Sequence, residues 1–228
     1  MSHIPFSPET QEIKNEVLLL SSMVEEAVMD SVGALKEKDL NRSQLVLLRD
    51  RHINRRRFEI EISIMVVMAT QQPTGRELRM LAASLTICSE LERMGDYAKE
   101  IANINIRSEG LSLSAILKHI YAMAEKVVDM LHRAMTTFAD ENDQMAVAII
   151  QEDDLIDECY TKLYYEAVQN VLGDPRNIER ANDVIWIAHN LERLGDRTTN
   201  ICERVIYIVT GEHYELSPVP GQFGLSPL

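Results

Sequence analysis

Apolar side chains recur along this chain in alternating steps of four and three residues. This spacing places them on one stripe of an α-helix, as in helices that pack in a bundle. The stripe of the first segment consists of Ile13, Val17, Leu20, Val24 and Ala27. A second stripe lies 103 residues later and consists of Ile116, Ile120, Met123, Val127 and Met130. The pattern indicates one helical unit written twice.

The full pattern predicts six helices and no strand. The helices are predicted near residues 8–37, 40–70, 75–107, 113–138, 142–172 and 175–210. Because the connections are short, consecutive helices must run antiparallel. The predicted fold class is therefore all-α, with two tandem three-helix bundles at 8–107 and 113–211 related by the internal repeat. Residues 212–228 carry prolines and glycines that cannot continue a helix, so we expect a loose tail.

Local signals mark the ends of several predicted helices. Ser7, followed by a proline, predicts the start of the first helix, and Gly211 predicts the end of the last. The segment TGRE at 74–77 has the form of a capping box, and Asp174 is a cap residue before a proline at the first helical position. Trp186 is expected in the core.

The clearest sign of the repeat is the hexapeptide LERMGD at 91–96, which returns as LERLGD at 191–196. Each copy places a Glu and an Asp four residues apart, so their carboxylates share one helix face within a turn. Like charges at this spacing cost about 0.2–0.5 kcal/mol in an isolated helix, and the glycine costs up to about 1 kcal/mol relative to Ala. Because both costs occur twice, we expect a compensating partner.

Further polar residues lie in register with each motif, on the same helix and on the preceding one. If these faces meet across a helix pair, each unit collects four carboxylates and one carboxamide. The first cluster would contain Asp50, Asn54, Glu92, Asp96 and Glu100. The second cluster would contain Asp153, Asp157, Glu192, Asp196 and Asn200.

Such clusters are candidate metal sites, because grouped carboxylates repel one another unless cations neutralise them. All-oxygen ligands suit magnesium, calcium, manganese or iron better than structural zinc, which prefers Cys and His. Several ions per cluster are possible. The alternative is a solvated face crossed by ion pairs such as Arg93 with Asp96 or Asp96 with Lys99.

Other residues of the motifs have simpler interpretations. Gly95 and Gly195 are predicted to allow close helix packing. Arg93 and Arg193 are interpreted as partners that brace the carboxylates, with anchoring of an anion as the alternative. His189 has a metal-compatible spacing from Glu192, but a hydrogen-bonded histidine is the preferred interpretation.

Composition narrows the functional classes. The formal net charge of −13 opposes nonspecific binding to nucleic acid or anionic membranes. Cys88, Cys159 and Cys202 form neither a disulfide framework nor a zinc ribbon, and they predict a reducing compartment. A membrane-spanning helix needs about 20 consecutive apolar residues, and no stretch of the sequence comes near that length. We therefore expect a cytoplasmic protein with no nucleic-acid partner and no membrane insertion.

Sequence signatures of catalysis are absent. The chain has no GxSxG elbow, no phosphate-cradling glycine loop and no HExxH motif. An enzyme built on this sequence would have to work from carboxylates and metal alone. A metal-dependent hydrolase or redox enzyme and a metal-storage bundle remain as alternatives to a regulatory protein.

The two LER-[ML]-GD segments, the continuation DRTTNICE at 196–203 and the closing VTGE at 209–212 resemble the PhoU family of phosphate-signalling proteins. The resemblance covers roughly residues 9–215. It implies two three-helix repeats whose E/D-x-x-x-D motifs hold multinuclear iron or zinc clusters in some members. The expected cofactors are therefore metal ions, with iron, zinc, manganese and magnesium as candidates. In the first unit Asn54 stands where an acid is usual.

Proteins of this family are regulators rather than enzymes. They dampen high-affinity phosphate uptake and the phosphate-starvation response when phosphate is plentiful. They bridge the ATPase subunit of the phosphate ABC transporter and a sensor histidine kinase of the PhoR type, and they commonly form dimers. The resemblance thus implies a cytoplasmic, non-enzymatic homodimer with these two partners.

Overall fold

The computed structural model describes residues 5–109, 114–212, 214–215 and 226–227. The prediction of an all-α fold is confirmed. In the first half, the helices are α1 (Pro8–Glu37), α2 (Leu40–Gln71) and α3 (Gly75–Arg107). In the second half, they are α4 (Ser114–Asp140), α5 (Asp143–Ile150), α6 (Asp154–Gly173) and α7 (Ile178–Thr210). Among the described residues, no helix is both long and apolar enough to span a membrane.

The predicted helix ends are correct at three places and wrong at one. The Ser7 hydroxyl caps α1 by accepting from the Thr10 amide, Gly211 ends α7 with φ of 80°, and Asp174 caps a short 3-10 turn that leads into α7. The capping box at 74–77 does not form. Glu77 instead accepts hydrogen bonds from the Ser7 amide at 3.0 Å and from its hydroxyl at 2.6 Å. The carboxylate therefore fastens the start of α1 to the start of α3.

The predicted fifth helix is interrupted between α5 and α6. Residues 151–153 form a turn in which Glu152 donates its amide to Ile149 at 3.0 Å, and Ile156 donates its amide to Asp153 at 2.8 Å. These i to i−3 hydrogen bonds are tighter than those of an α-helix. Three consecutive acidic residues stand at this place, and Glu152 is held by Arg133 at 2.8 Å. The turn places the side chain of Asp153 against α7.

The two halves share one core. Buried apolar residues of both halves form a single contiguous cluster. α1 packs against α4, and α3 packs against α7, so helices that correspond in the repeat lie against each other. The middle elements α2 and α6 pack on α3 and α7 from the outside of this arrangement. The clusters predicted from the sequence lie at those two outer helix pairs.

A buried ion cluster also joins the halves. Lys14 on α1 lies 3.0 Å from Glu141, which follows α4, and the side chains of both are less than a tenth exposed. Arg76, at the start of α3, donates from its Nε to the other carboxylate oxygen of Glu141 at 2.6 Å. Nothing in the sequence repeat signals this contact.

The tail lies mostly outside the described residues, so its predicted looseness stays a prediction. One antiparallel pairing, between β1 (Tyr214–Glu215) and β2 (Ser226–Pro227), is described there. It corrects the prediction that no segment forms a strand.

Candidate functional site

The glycine of each hexapeptide lies where the middle element crosses the third long helix of its half. A Cβ added to Gly95 would lie 3.3 Å from the side chain of Ile53 on α2. A Cβ added to Gly195 would lie 3.3 Å from Ile156 and 2.8 Å from the Oδ1 of Asp153. Because these glycines lack a side chain, α2 can pack closely against α3 and α6 against α7. In the second half, the same space also accommodates the carboxylate of Asp153.

The second cluster brings together four of its five predicted members. Burial, followed by the charges of Asp196, Asp157 and Glu192, raises the pKa of Asp153 to about 7. Burial and the charge of Asp196 also raise the pKa of Asp157 and of Glu192. Each carboxylate thus makes ionisation of its neighbours less favourable. Among the described residues, no Lys or Arg makes an ion pair with any of the three aspartates.

The first cluster is organised around a lysine. The Nζ of Lys99 lies 2.9 Å from the Oδ2 of Asp50 and 3.6 Å from the Oδ1 of Asp96. Asn54 donates to the same Oδ2 of Asp50 at 3.4 Å. Burial and the charge of Asp96 raise the pKa of Glu92, which places Glu92 in the same electrostatic group. The Asp96 to Lys99 pair expected for a simple charged face is therefore present, but Lys99 also reaches across to α2.

The structure does not bring Glu100 and Asn200 to the clusters, which corrects their predicted place. Glu100 is exposed and lines a cleft of about 790 Å³ between α3 and α7, with Trp186 on its wall. Asn200 donates to the Oε2 of Glu90 on α3 at 3.4 Å. The reason is helical drift, because a residue eight positions beyond the first acid is rotated by about 80°. Trp186 was expected in the core, but its side chain is half-exposed.

The two arginines of the repeat do not brace the carboxylates through ion pairs. Arg93 is exposed, and its charge lowers the pKa of Glu92 only slightly against larger opposing effects. The guanidinium of Arg193 lies over the ring of Tyr97, 4.5 Å from its centroid, at the contact between α3 and α7. The Nδ1 of His189 lies 3.1 Å from the Oε2 of Glu192, which accepts its hydrogen bond, in agreement with the prediction of a hydrogen-bonded histidine.

The second cluster has the chemistry of a cation site. Asp153, Asp157, Glu192 and Asp196 supply only oxygen ligands, and their repulsion is what a bound cation would relieve. No group of three or more His, Cys, Asp or Glu in the described part of the chain is already arranged to hold an ion. Binding would therefore require side-chain rotation within the cluster. In the first cluster, the buried Oδ1 atoms of Asp50 and Asn54 have no hydrogen-bond partner.

We expect the metal-free protein to become less stable as the pH rises through about 7. The pKa of Asp153 is about 7 in the folded protein, whereas an aspartate in the unfolded chain has its ordinary pKa near 3.8. Between these pH values the folded chain retains a proton that the unfolded chain releases. The stability that this proton contributes is fully present below the ordinary pKa of 3.8, and it is lost as the pH rises through the folded pKa of about 7. Thermal melts in a chelator between pH 5.5 and 8 would measure the slope. An equal slope in Asp153→Asn would contradict this origin.

Comparison with known proteins agrees with the repeated architecture. The family model described as PhoU domain matches residues 17–104 and again residues 120–205. A PhoU homolog from Clostridium acetobutylicum is 30% identical over 93% of this chain and 97% of its own length. PhoU of Escherichia coli, described as a phosphate-specific transport system accessory protein, is 27% identical over 92% of this chain and 87% of its own length.

Solved structures match over the same extent. The crystal structure of PhoU from Pseudomonas aeruginosa superposes with a TM-score of 0.82 at 32% identity, over 89% of this chain and 98% of that one. The phosphate transport system regulatory protein PhoU from Streptococcus pneumoniae gives a TM-score of 0.83 at 29% identity, over 91% of this chain and 98% of that one.

Proposed function

Because the chain belongs to the PhoU family, we propose that it is a cytoplasmic accessory protein that negatively regulates phosphate uptake and the phosphate-starvation response. The observation that carries this proposal is the double match to the PhoU domain, which takes up most of both halves. Relatives named as accessory proteins of phosphate transport align over almost their whole length. The proposed role is regulatory rather than enzymatic.

The protein would act by binding the ATPase subunit of a phosphate ABC transporter and a sensor histidine kinase of the PhoR type, as a homodimer. The outer side of α2 supports a role exercised through protein contacts. Its large exposed apolar side chains are Leu40, Leu45, Leu48, Phe58, Ile62, Met65 and Val66. Exposed apolar groups of this extent are typical of interaction surfaces.

Metal ions would be held by the carboxylates between the outer helix pairs. In the second half, Asp153 and Asp157 on one side and Glu192 and Asp196 on the other would share the ions, so that the ions fix α6 against α7. A bound cation supplies positive charge that offsets the repulsion, and the surface formed by the two segments then keeps one arrangement. Partners would recognise that arrangement.

Co-purification tests the proposed function. We expect the immobilised full-length protein to retain the transporter ATPase subunit of its own organism more strongly at high phosphate than at low phosphate. Asp153→Asn combined with Asp157→Asn should weaken retention and lower the metal content, whereas Glu100→Gln, which lies outside the clusters, should change neither.

Three results would contradict parts of this proposal. Absence of retention at every phosphate concentration would remove the adaptor role. Turnover of a phosphoester or consumption of oxygen by the metal-loaded protein, abolished in the double variant, would favour a carboxylate-cluster enzyme instead. Sedimentation at the mass of a single chain would exclude the homodimer.

A further inference from the structure

The two acidic clusters differ in charge at two corresponding positions: Asn54 of the first half stands where the second half has Asp157, and Lys99 stands where it has Thr199. Lys99 and Thr199 correspond in the repeat, because the third long helices are offset by 100 residues. Lys99 lies between carboxylates of two helices, 2.9 Å from Asp50 and 3.6 Å from Asp96. Thr199 donates its hydroxyl to the backbone carbonyl of Asp196 at 2.7 Å. The second half therefore has no ammonium at the corresponding place.

Other cations near the second cluster are engaged elsewhere. Arg197 donates to Glu90 at 3.2 Å and to the hydroxyl of Tyr97 at 3.3 Å, both of which lie on α3. Arg193 lies over the ring of Tyr97. The acids of the second half thus have His189, 3.1 Å from Glu192, as a basic neighbour that is charged only when protonated, whereas those of the first half have the ammonium of Lys99.

We infer that Lys99 is a tethered cation that competes with metal ions for Asp50 and Asp96, so that metal ions bind the second half before the first. The inference rests on the proposed metal binding and goes beyond it, because it makes the two halves unequal. An ammonium on a short tether is always present at its site, while a free ion must be recruited from solution. A metal ion entering the first cluster must displace it or bear its repulsion.

The first cluster nevertheless keeps acceptors open. The Oδ1 atoms of Asp50 and Asn54 are buried without a hydrogen-bond partner, although the side chain of Asp50 is 94% buried. Lys99 therefore neutralises charge without satisfying every oxygen. Its removal would leave a site with the same ligands and no competing cation, so the first half should then bind metal.

Metal titration of the full chain tests this inference. The protein is stripped with a chelator and titrated with Mn²⁺, and bound ions are counted by elemental analysis after gel filtration. In the wild type, the ions should be lost with Asp153→Asn plus Asp157→Asn and should persist in Asp50→Asn. Lys99→Thr should bind additional Mn²⁺, with an affinity in the first half raised by about tenfold or more. Thr199→Lys should lose the ions of the second half.

Matched variants separate charge from shape. Lys99→Met should gain Mn²⁺ as Lys99→Thr does, and Lys99→Arg, which keeps the charge, should not. If Lys99→Thr and the wild type bind equal amounts with equal affinity, the competition is overturned while metal binding stands. If no variant binds Mn²⁺, both the competition and the proposed metal sites fail. Circular dichroism confirms that each variant is folded.

Discussion

Replacing Glu141 with Ala is expected to lower the free energy of unfolding by about 3–5 kcal/mol, because it leaves a buried cation without its anion. The side chains of Lys14 and Glu141 are 6% and 7% exposed, and their charged atoms lie 3.0 Å apart. Arg76 adds a second cation on the same carboxylate. Urea unfolding followed by circular dichroism would measure the change as a lower midpoint.

Two variants control for other origins of this loss. Glu141 has φ of 52°, a left-handed conformation that disfavours Ala. Glu141→Asn also removes the carboxylate, but Asn tolerates this conformation. Lys14→Met removes the buried charge and leaves Glu141 paired with Arg76, so it should cost much less. If Glu141→Asn has the same urea midpoint as the wild type, the stability lost in Glu141→Ala comes from backbone strain rather than from the missing ion pair.

Neutralising the aspartate of the middle element should have opposite effects in the two halves of the metal-free protein. Asp153→Asn removes a carboxylate that burial and four neighbouring acids hold in an unfavourable environment, so the melting temperature should rise at pH 8. Asp50→Asn removes the partner of Lys99 at 2.9 Å, so the free energy of unfolding should fall by about 1–3 kcal/mol. Thermal melts in a chelator would give both signs.

The same pair of variants responds differently to metal. If ions bind the second cluster, added Mn²⁺ should raise the melting temperature of the wild type and of Asp50→Asn, and it should raise that of Asp153→Asn less. If Asp153→Asn and Asp50→Asn both lower the melting temperature in the chelator, the carboxylates of the second half are not an uncompensated cluster. The comparison needs no knowledge of the partners.

The helices and the acidic motif were predictable because both depend on spacing within one helix. The alternating apolar ladder from Ile13 to Ala27 marks a buried stripe, and all five of its residues are buried. The glycines of the hexapeptides likewise lie where a neighbouring helix approaches. Such local periodicity is the most reliable signal that a single sequence carries.

Contacts between helices were harder to predict. Lys99 lies one turn from Asp96 in the sequence, yet its shorter contact is with Asp50 on another helix. The sequence difference that accompanies this contact is the Thr199 that stands at the corresponding position of the second copy. The turn at 151–153 and the departure of Glu100 and Asn200 depend on packing that spacing along one helix does not specify.

The pairing of α1 with α4 and of α3 with α7 bears on how such a chain arises. Equivalent elements that meet each other are what a two-fold axis produces in a dimer of identical subunits. An ancestor with one copy of the unit would already have this arrangement if it dimerised through the surface that is now buried between the two halves. Fusion of two such copies would free each to diverge, so that a lysine in one and a threonine in the other would be selected separately.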